Sequence, residues 1–319
     1  MPQVRDLTRG GEAGLIFRFT LPMLIGNVFQ QLYNTVDSLV VGNLVGKTAL
    51  AAVGASFPIL FLMVSLIMGI TMGTMVVVAQ NYGSRDFAKV RAAVDSAYIF
   101  LFWAGVVLTA AGLLGARRLT GLLDVPQDAS GQAVTYLRIL FAGMLPSFGY
   151  NAVSAILRGL GDSKTPLYIL IFSTLLNTVL DLLFVGVLSW GVAGAAWATV
   201  ISQAVSFVGA ILILNGRNEF VRLSVKDLRF DRESFSRSMK IGLPTGIQQT
   251  LVASGMMVLM RIVSGFGTSV LAGFTVAGRL DSFAMMPAMN ISQASRPSRG
   301  RTWVLAWSTG SGAASAWAC

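Results

Sequence analysis

The chain contains no histidine, and its one cysteine, Cys319, is the last of its 319 residues. Without an imidazole it has no side chain that ordinarily titrates near neutrality and lacks the commonest transition-metal ligand, so proton chemistry falls to carboxylates. A single cysteine excludes a disulfide framework. Charge is scarce as well. Only 12% of residues are charged, against roughly 25% in a soluble domain, while 54% are hydrophobic and mean hydropathy is +0.69. The sequence also holds no nucleotide-binding glycine loop and no nucleophile constellation, which leaves an enzyme reading without support. The net charge of +10 does not point to nucleic acid, because the basic residues lie in short loops between apolar stretches. No cleavable signal peptide is expected, since residues 1–14 are polar and mixed in charge and the apolar run after them is too long for an h-region. The abundance of Arg, Ala and Gly hints at a bacterial gene.

What the chain does have is apolar length. Eight stretches reach about 20 residues or more, enough for a bilayer core: 16–41, 50–79, 92–114, 134–157, 166–188, 192–214, 241–263 and 270–291. The fold class expected is an all-α polytopic membrane protein. The loops alternate in charge. Arg85, Lys89 and Arg91 follow the second stretch, and Arg158 and Lys164 follow the fourth. The long connection at 215–240 carries Arg217, Arg222, Lys226, Arg229, Arg232, Arg237 and Lys240. Opposite them are Lys47, Arg117 and Arg118, and the loops after Leu188 and Val263 have no basic residue. The positive-inside rule then puts Met1 and the long connection in the cytoplasm.

That connection divides the chain. Leu21-Pro22-Met23-Leu24-Ile25 opens the first stretch and Leu243-Pro244-Thr245-Gly246-Ile247 opens the seventh, about 220 residues later. Six spans separate the copies, so the repeat is parallel. Two like-oriented six-helix halves form a known transporter plan. The boundaries expected are a six-helix half over 1–214, a basic cytoplasmic linker over 215–240, and the first two helices of a second half over 241–294.

The chemistry concentrates in a polar stripe on the first stretch. Asn27, Gln30, Asn34 and Asp37 are three, four and three residues apart and share one helical face. An aspartate at bilayer depth costs roughly 2.5–3.5 kcal/mol on the insertion scale, so it marks an ion or substrate path by default. The alternative is a polar residue that glues two helices together. On the fifth stretch Asn177 and Asp181 are four apart and share a face, as do Tyr150, Asn151 and Ser154 on the fourth. Thr199, Ser202, Gln203 and Ser206 do the same on the sixth, and Gln248 and Gln249 are the strongly polar residues inside the seventh. Asn27, Tyr150, Asn151, Ser154, Gln248 and Gln249 are candidates for a substrate pathway. Asp95 reads as an interface charge.

An ordered set of segments resembles the multidrug and toxic compound extrusion family of efflux transporters. It comprises Pro22 with Gln30-Gln31-Leu32-Tyr33-Asn34-Thr35-Val36-Asp37 and Val41-Gly42, then Arg158-Gly159-Leu160-Gly161-Asp162-Ser163-Lys164-Thr165-Pro166, then Asn177-Thr178-Val179-Leu180-Asp181. Gly191-Val192-Ala193-Gly194-Ala195-Ala196-Trp197-Ala198-Thr199 and Arg279-Leu280-Asp281-Ser282-Phe283 complete it. The resemblance implies an acidic pocket in the amino-terminal half, with Asp37 and Asp181 as its carboxylates and Gln30, Asn34, Asn177 and Thr199 around them. Two carboxylates close together in low dielectric do not both stay ionised easily, so the pair can hold a proton; Na⁺ also suits such oxygen ligands. Pro22 would bend the first helix. The function implied is antiport, exporting cationic amphipathic compounds against H⁺ or Na⁺ across the bacterial inner membrane. No cofactor beyond the coupling ion is expected, the surroundings are the lipid bilayer, and the full-length protein is expected to be monomeric. A lipid-linked saccharide flippase of the same superfamily is the alternative, but it would want a basic cavity, as is a pseudogene product that does not transport.

Residues 295–319 lose the pattern and become rich in Arg, Ser, Gly and Trp. Gly300-Arg301-Thr302-Trp303-Val304-Leu305-Ala306 can be encoded so that another frame reads Gln-Asn-Leu-Gly-Ala-Gly, a stretch the family resemblance calls for. The expectation is an out-of-frame tail after about eight of twelve spans, on a chain that by itself would not transport.

Overall fold

The computed structural model describes residues 12–122, 127–217, 221–223 and 227–264. The expected eighth span at 270–291, the Arg279–Phe283 segment and the tail at 295–319 lie outside the described residues. Eight α-helices follow one another: α1 (Glu12–Leu44), α2 (Lys47–Gly83), α3 (Phe87–Leu122), α4 (Gln127–Ala142), α5 (Met144–Gly159), α6 (Lys164–Asp181), α7 (Gly191–Arg217) and α8 (Arg232–Ser264). A π-helical segment, Leu182–Val187, continues α6. No strand occurs among the described residues, as expected of backbone that must satisfy its own hydrogen bonds in lipid.

Among the described residues, four helical stretches are both long and apolar enough to cross a membrane: Thr48–Gly83, Phe87–Gly121, Lys164–Val187 and Gly191–Gly216. A fifth is a bent pair, Ser130–Ala142 with Met144–Gly159. The outer faces carry apolar side chains into the surroundings, Leu114 at 85% exposure and Val187 at 74% among them. In water such faces would be a liability; in lipid they are the solvent-matched side. α1 and α8 are 33 residues each but more polar, with Asn27, Gln30, Gln31, Asn34 and Asp37 on the first and Gln248 and Gln249 on the second.

Three local departures from a simple reading of eight straight spans have physical causes. The stretch at 134–157 is two helices meeting at 50° around Gly143. Pro146 in the first turn of α5 cannot donate a backbone hydrogen bond to the preceding turn. A Cβ at Gly143 would lie 2.3 Å from Val200 Cγ2, so the break also lets α7 pack closely there. The stretch at 166–188 ends in the π-turn, where Leu188 N–H bonds Leu183 C=O at 2.8 Å. The basic connection is shorter than 215–240, because α7 runs to Arg217 and α8 starts at Arg232.

The loop Arg158–Pro166 caps α6. Gly161 takes φ +92°, and Asp162 Oδ1 accepts the backbone N–H groups of Lys164 and Thr165 at 3.1 and 3.0 Å. α8 is fastened to the first bundle in two ways. Asp231 N–H donates to Ser96 Oγ at 2.8 Å, and Phe235 packs between Phe100 and Phe230. Further along, α8 lies against α2 through small residues. A Cβ at Gly69 would sit 2.5 Å from Gly242 O and Gly246 Cα, and the Ser65 and Thr250 hydroxyls meet at 3.0 Å. Ser238, Gly242, Gly246 and Thr250 recur every fourth residue, opposite Ser65, Gly69 and Gly73, which lets the two backbones touch.

Candidate acidic site in the amino-terminal bundle

The site forms where α1, α4, α6 and α7 converge. α1 packs along α6, with a Cβ at Gly26 reaching Leu170 at 3.7 Å. That packing turns Asp37 inward to 7% exposure, and from α6 it brings Asn177 and Asp181, both fully buried. Asp37 lies near enough to Asp181 to act on it electrostatically. Tyr33, one turn before Asp37 on the same face, feels both of them and lies beside Thr199 and Ser202 of α7 without closing a hydrogen bond to either. Tyr136 of α4 presents its hydroxyl to Asp37.

Six buried polar atoms in this one place lack a hydrogen-bond partner: Asp37 Oδ1, both oxygens of Asp181, both polar atoms of Asn177 and the Tyr33 hydroxyl. Buried polar groups in proteins are almost always paired, so such a concentration is a candidate for binding something. Carboxylate, amide and phenol oxygens suit a hard monovalent cation or a shared proton. No cluster of three or more Asp, Glu, His or Cys side chains suited to a transition metal or Zn²⁺ occurs among the described residues.

The other sequence candidates spread outward from this centre. Thr199 is half-buried beside Tyr33, and Gln30 and Asn27 are half-buried further along α1. Asn34 is exposed and stands apart from the buried set. Pro22 is buried within α1, fifteen positions before Asp37. On α5, Tyr150 donates to Pro166 C=O at 3.3 Å, Asn151 Nδ2 donates to Ser147 C=O at 2.8 Å, and Ser154 Oγ is buried without a partner. Gln248 and Gln249 are exposed on α8. Asp95 forms an ion pair with Arg91 at 3.7 Å and is 5% exposed beneath the connection leading into α8.

Sequence reasoning did not single out Tyr33 and Tyr136 as site residues. Tyr33 was discoverable, since it lies four residues before Asp37. Tyr136 sits in Val134-Thr135-Tyr136-Leu137-Arg138-Ile139-Leu140, where no spacing relates it to either aspartate. Only the break at Gly143 and the packing of α4 on α7 deliver it.

An all-helical polytopic membrane protein with a paired acidic site buried inside one bundle is, as a class, a membrane-transport fold. Comparison with known proteins gives the family. The MatE family model matches residues 22–183, just over half of the chain, and the chain belongs to that family. It is 36% identical over 284 residues to "Probable multidrug resistance protein YpnP" of Bacillus subtilis, covering 89% of this chain and 63% of that protein. The fold superposes with a TM-score of 0.86 on an outward-facing multidrug resistance MATE family transporter of the MOP superfamily, 30% identical, covering 95% of this chain and 67% of that one. With a TM-score of 0.87 it also matches a MOP superfamily transporter from Pyrococcus furiosus, at 30% identity and the same coverage. The chain spans about three fifths of the length of the curated relatives it matches.

Proposed function

We propose that the protein serves cation-coupled antiport, in which H⁺ or Na⁺ binding at Asp37 and Asp181 drives export of cationic amphipathic compounds. The observation that carries this is the meeting of two buried carboxylates from separate helices, with Asn177, Tyr33 and Thr199 around them. A carboxylate pair with unpartnered oxygens gains most from a cation or proton, and a binding event inside a helical bundle can bias its packing. Inward movement of the ion and outward movement of the drug would then exchange through rocking of two halves, with Pro22 as the bending point of α1. The multidrug names of relatives support the drug side of the reading, and the mid-membrane acidity of this chain favours cationic over anionic cargo.

A fold hosts more than one activity, so cargo must be argued from the site. A lipid-linked saccharide flippase would call for basic groups facing the transport path, whereas the buried charged residues among those described, Asp37, Asp95 and Asp181, are all acidic. Because this chain by itself is expected not to transport, the deciding test is drug accumulation in cells expressing a full-length transporter that carries this amino-terminal half, unaltered or with Asp37→Asn or Asp181→Asn, alongside ²²Na⁺ binding to the purified proteins. Loss of efflux, and of either Na⁺ binding or pH dependence, in both variants is expected. Efflux that stays wild-type in both would sink the reading.

A further inference from the structure

Where α1 turns into α2, the bundle holds a pocket of about 260 Å³ lined by Val45, Gln132, Thr135, Trp190, Val192 and Ala193. Under it lies a small apolar cluster of Val41, Tyr136, Val185, Val192, Ala195 and Ala196, all buried. Under the cluster are the two aspartates. α1 and α7 carry the same vertical order. On α1 it is Val45, Val41 and Asp37, one turn apart each, so the pocket wall is only about 12 Å along the helix from the carboxylate. On α7 it is Val192, then Ala195 and Ala196, then Thr199. On α4, Thr135 lines the pocket and its neighbour Tyr136 touches Asp37.

We propose that this pocket is the mouth of an ion path that enters the amino-terminal bundle between α1, α4 and α7, with Val41, Tyr136 and Val192 as its gate. The inference rests on the reading of Asp37 and Asp181 as the ion site.

The mouth is uncharged and mostly apolar, with Gln132 and Thr135 as its exposed polar side chains, which can replace part of an ion's water shell. The gate is a single apolar layer, and a thin hydrophobic constriction closes to ions by excluding water rather than by steric bulk. Elsewhere the bundle is filled by a larger apolar cluster that includes Phe141, Phe148, Ile156 and Leu157. The gate also has a movable wall. Val185 sits inside the π-helical turn that directly follows Asp181, a backbone form that is less stable than α and common at functional sites. Rewinding that turn would withdraw Val185 from the layer and rotate Asp181 with it. Phe184 stacks on Trp190 at 5.0 Å, which ties the turn to the mouth.

The test uses the chain in lipid nanodiscs on a Cys319→Ser background. Val41→Cys and Val192→Cys are probed with a small cationic methanethiosulfonate, and Ile156→Cys serves as a buried control. Both gate positions should react at least about tenfold faster than the control, and Thr135→Trp or Gln132→Trp should slow them about fivefold or more by blocking the mouth. Rates equal to the control, or fast rates that neither tryptophan alters, overturn the proposal. Carbodiimide labelling of Asp37 and Asp181 with and without Na⁺ or alkaline pH is run in parallel. Carboxylates that neither condition protects, beneath reactive and blockable cysteines, would refute the ion-site reading while leaving the water path and its gate standing.

Discussion

Replacing Asp181 by asparagine should make the protein more stable while disabling its ion site. Asp181 is fully buried and neither carboxylate oxygen has a hydrogen-bond partner, and Asn177 one turn away is equally unpaired. A buried carboxyl without a partner must either stay ionised, at several kcal/mol even after relaxation, or hold a proton that the unfolded chain releases at neutral pH, whereas an unpaired neutral amide costs about 1–3 kcal/mol. The shape hardly changes, so packing terms cancel and a gain of about 1–3 kcal/mol is expected in sodium-free buffer near neutral pH. At about 2–4 °C per kcal/mol, that raises the unfolding midpoint by a few degrees. The assay is thermal unfolding of wild type and Asp181→Asn in the same detergent, with and without Na⁺ and over a pH series. If Na⁺ is the coupling ion, it should raise the midpoint of the wild type by mass action and leave the variant unmoved. An Asp181→Asn protein less stable than wild type would refute the reasoning, because it would mean the carboxylate is satisfied by a partner and contributes to the fold. The expected exchange of stability for function is the common pattern at binding sites.

Other consequences concern the start of α8 and the α2–α8 contact. A Cβ at Gly73 would meet Ser238 O at 2.1 Å, so Gly73→Ala must push α2 and α8 apart by about 1 Å, at a cost of about 1–3 kcal/mol. Oxidative crosslinking of Ser65→Cys with Thr250→Cys, whose native hydroxyls touch, should be efficient in the parent and fall sharply with Gly73→Ala; equal yields would contradict the close packing. At the start of α8, Asp231 accepts the Ser234 N–H at 2.8 Å, and the Ser234 side chain and backbone hold its carboxyl below the usual carboxylate range. A folded-state pKa lowered in this way supplies stability that is present above the unfolded value of about 3.9 and is lost as pH falls through the folded one. Asp231→Ala should therefore destabilise by about 0.5–2 kcal/mol at neutral pH, with the difference from wild type shrinking in acid; a difference independent of pH would exclude the capping role.

Much of the fold was legible because lipid imposes a severe rule on sequence. Spans must be long and apolar, so helical stretches of that kind can be located directly, five of them among the described residues when the bent pair counts as one, and a carboxylate inside an apolar run stands out against its surroundings. Asp37, Asn177 and Asp181 were found in this way, and their helical spacing gave the face each one uses. Length and hydropathy carry no sign of where a span breaks. The bend at Gly143 depends on Val200 occupying the space a side chain would fill, and Val200 belongs to a helix more than fifty residues later. The stripe on α1 misled in one respect. A shared face is wide enough that Asp37 is buried while Asn34 is exposed, because α6 and α4 cover only part of it.

The sequence alone determined that the chain is helical, crosses a membrane, and keeps carboxylates at depth, since burying charge in hydrocarbon is too costly to occur without purpose. The tertiary structure decided which of those polar groups meet. Bringing Asp37 near Asp181, adding the hydroxyls of Tyr33 and Tyr136, and gathering Val41, Tyr136, Val185 and Val192 into one apolar cluster are contacts between residues distant in the chain. Helical periodicity fixes directions along one element, whereas such meetings depend on the packing of several.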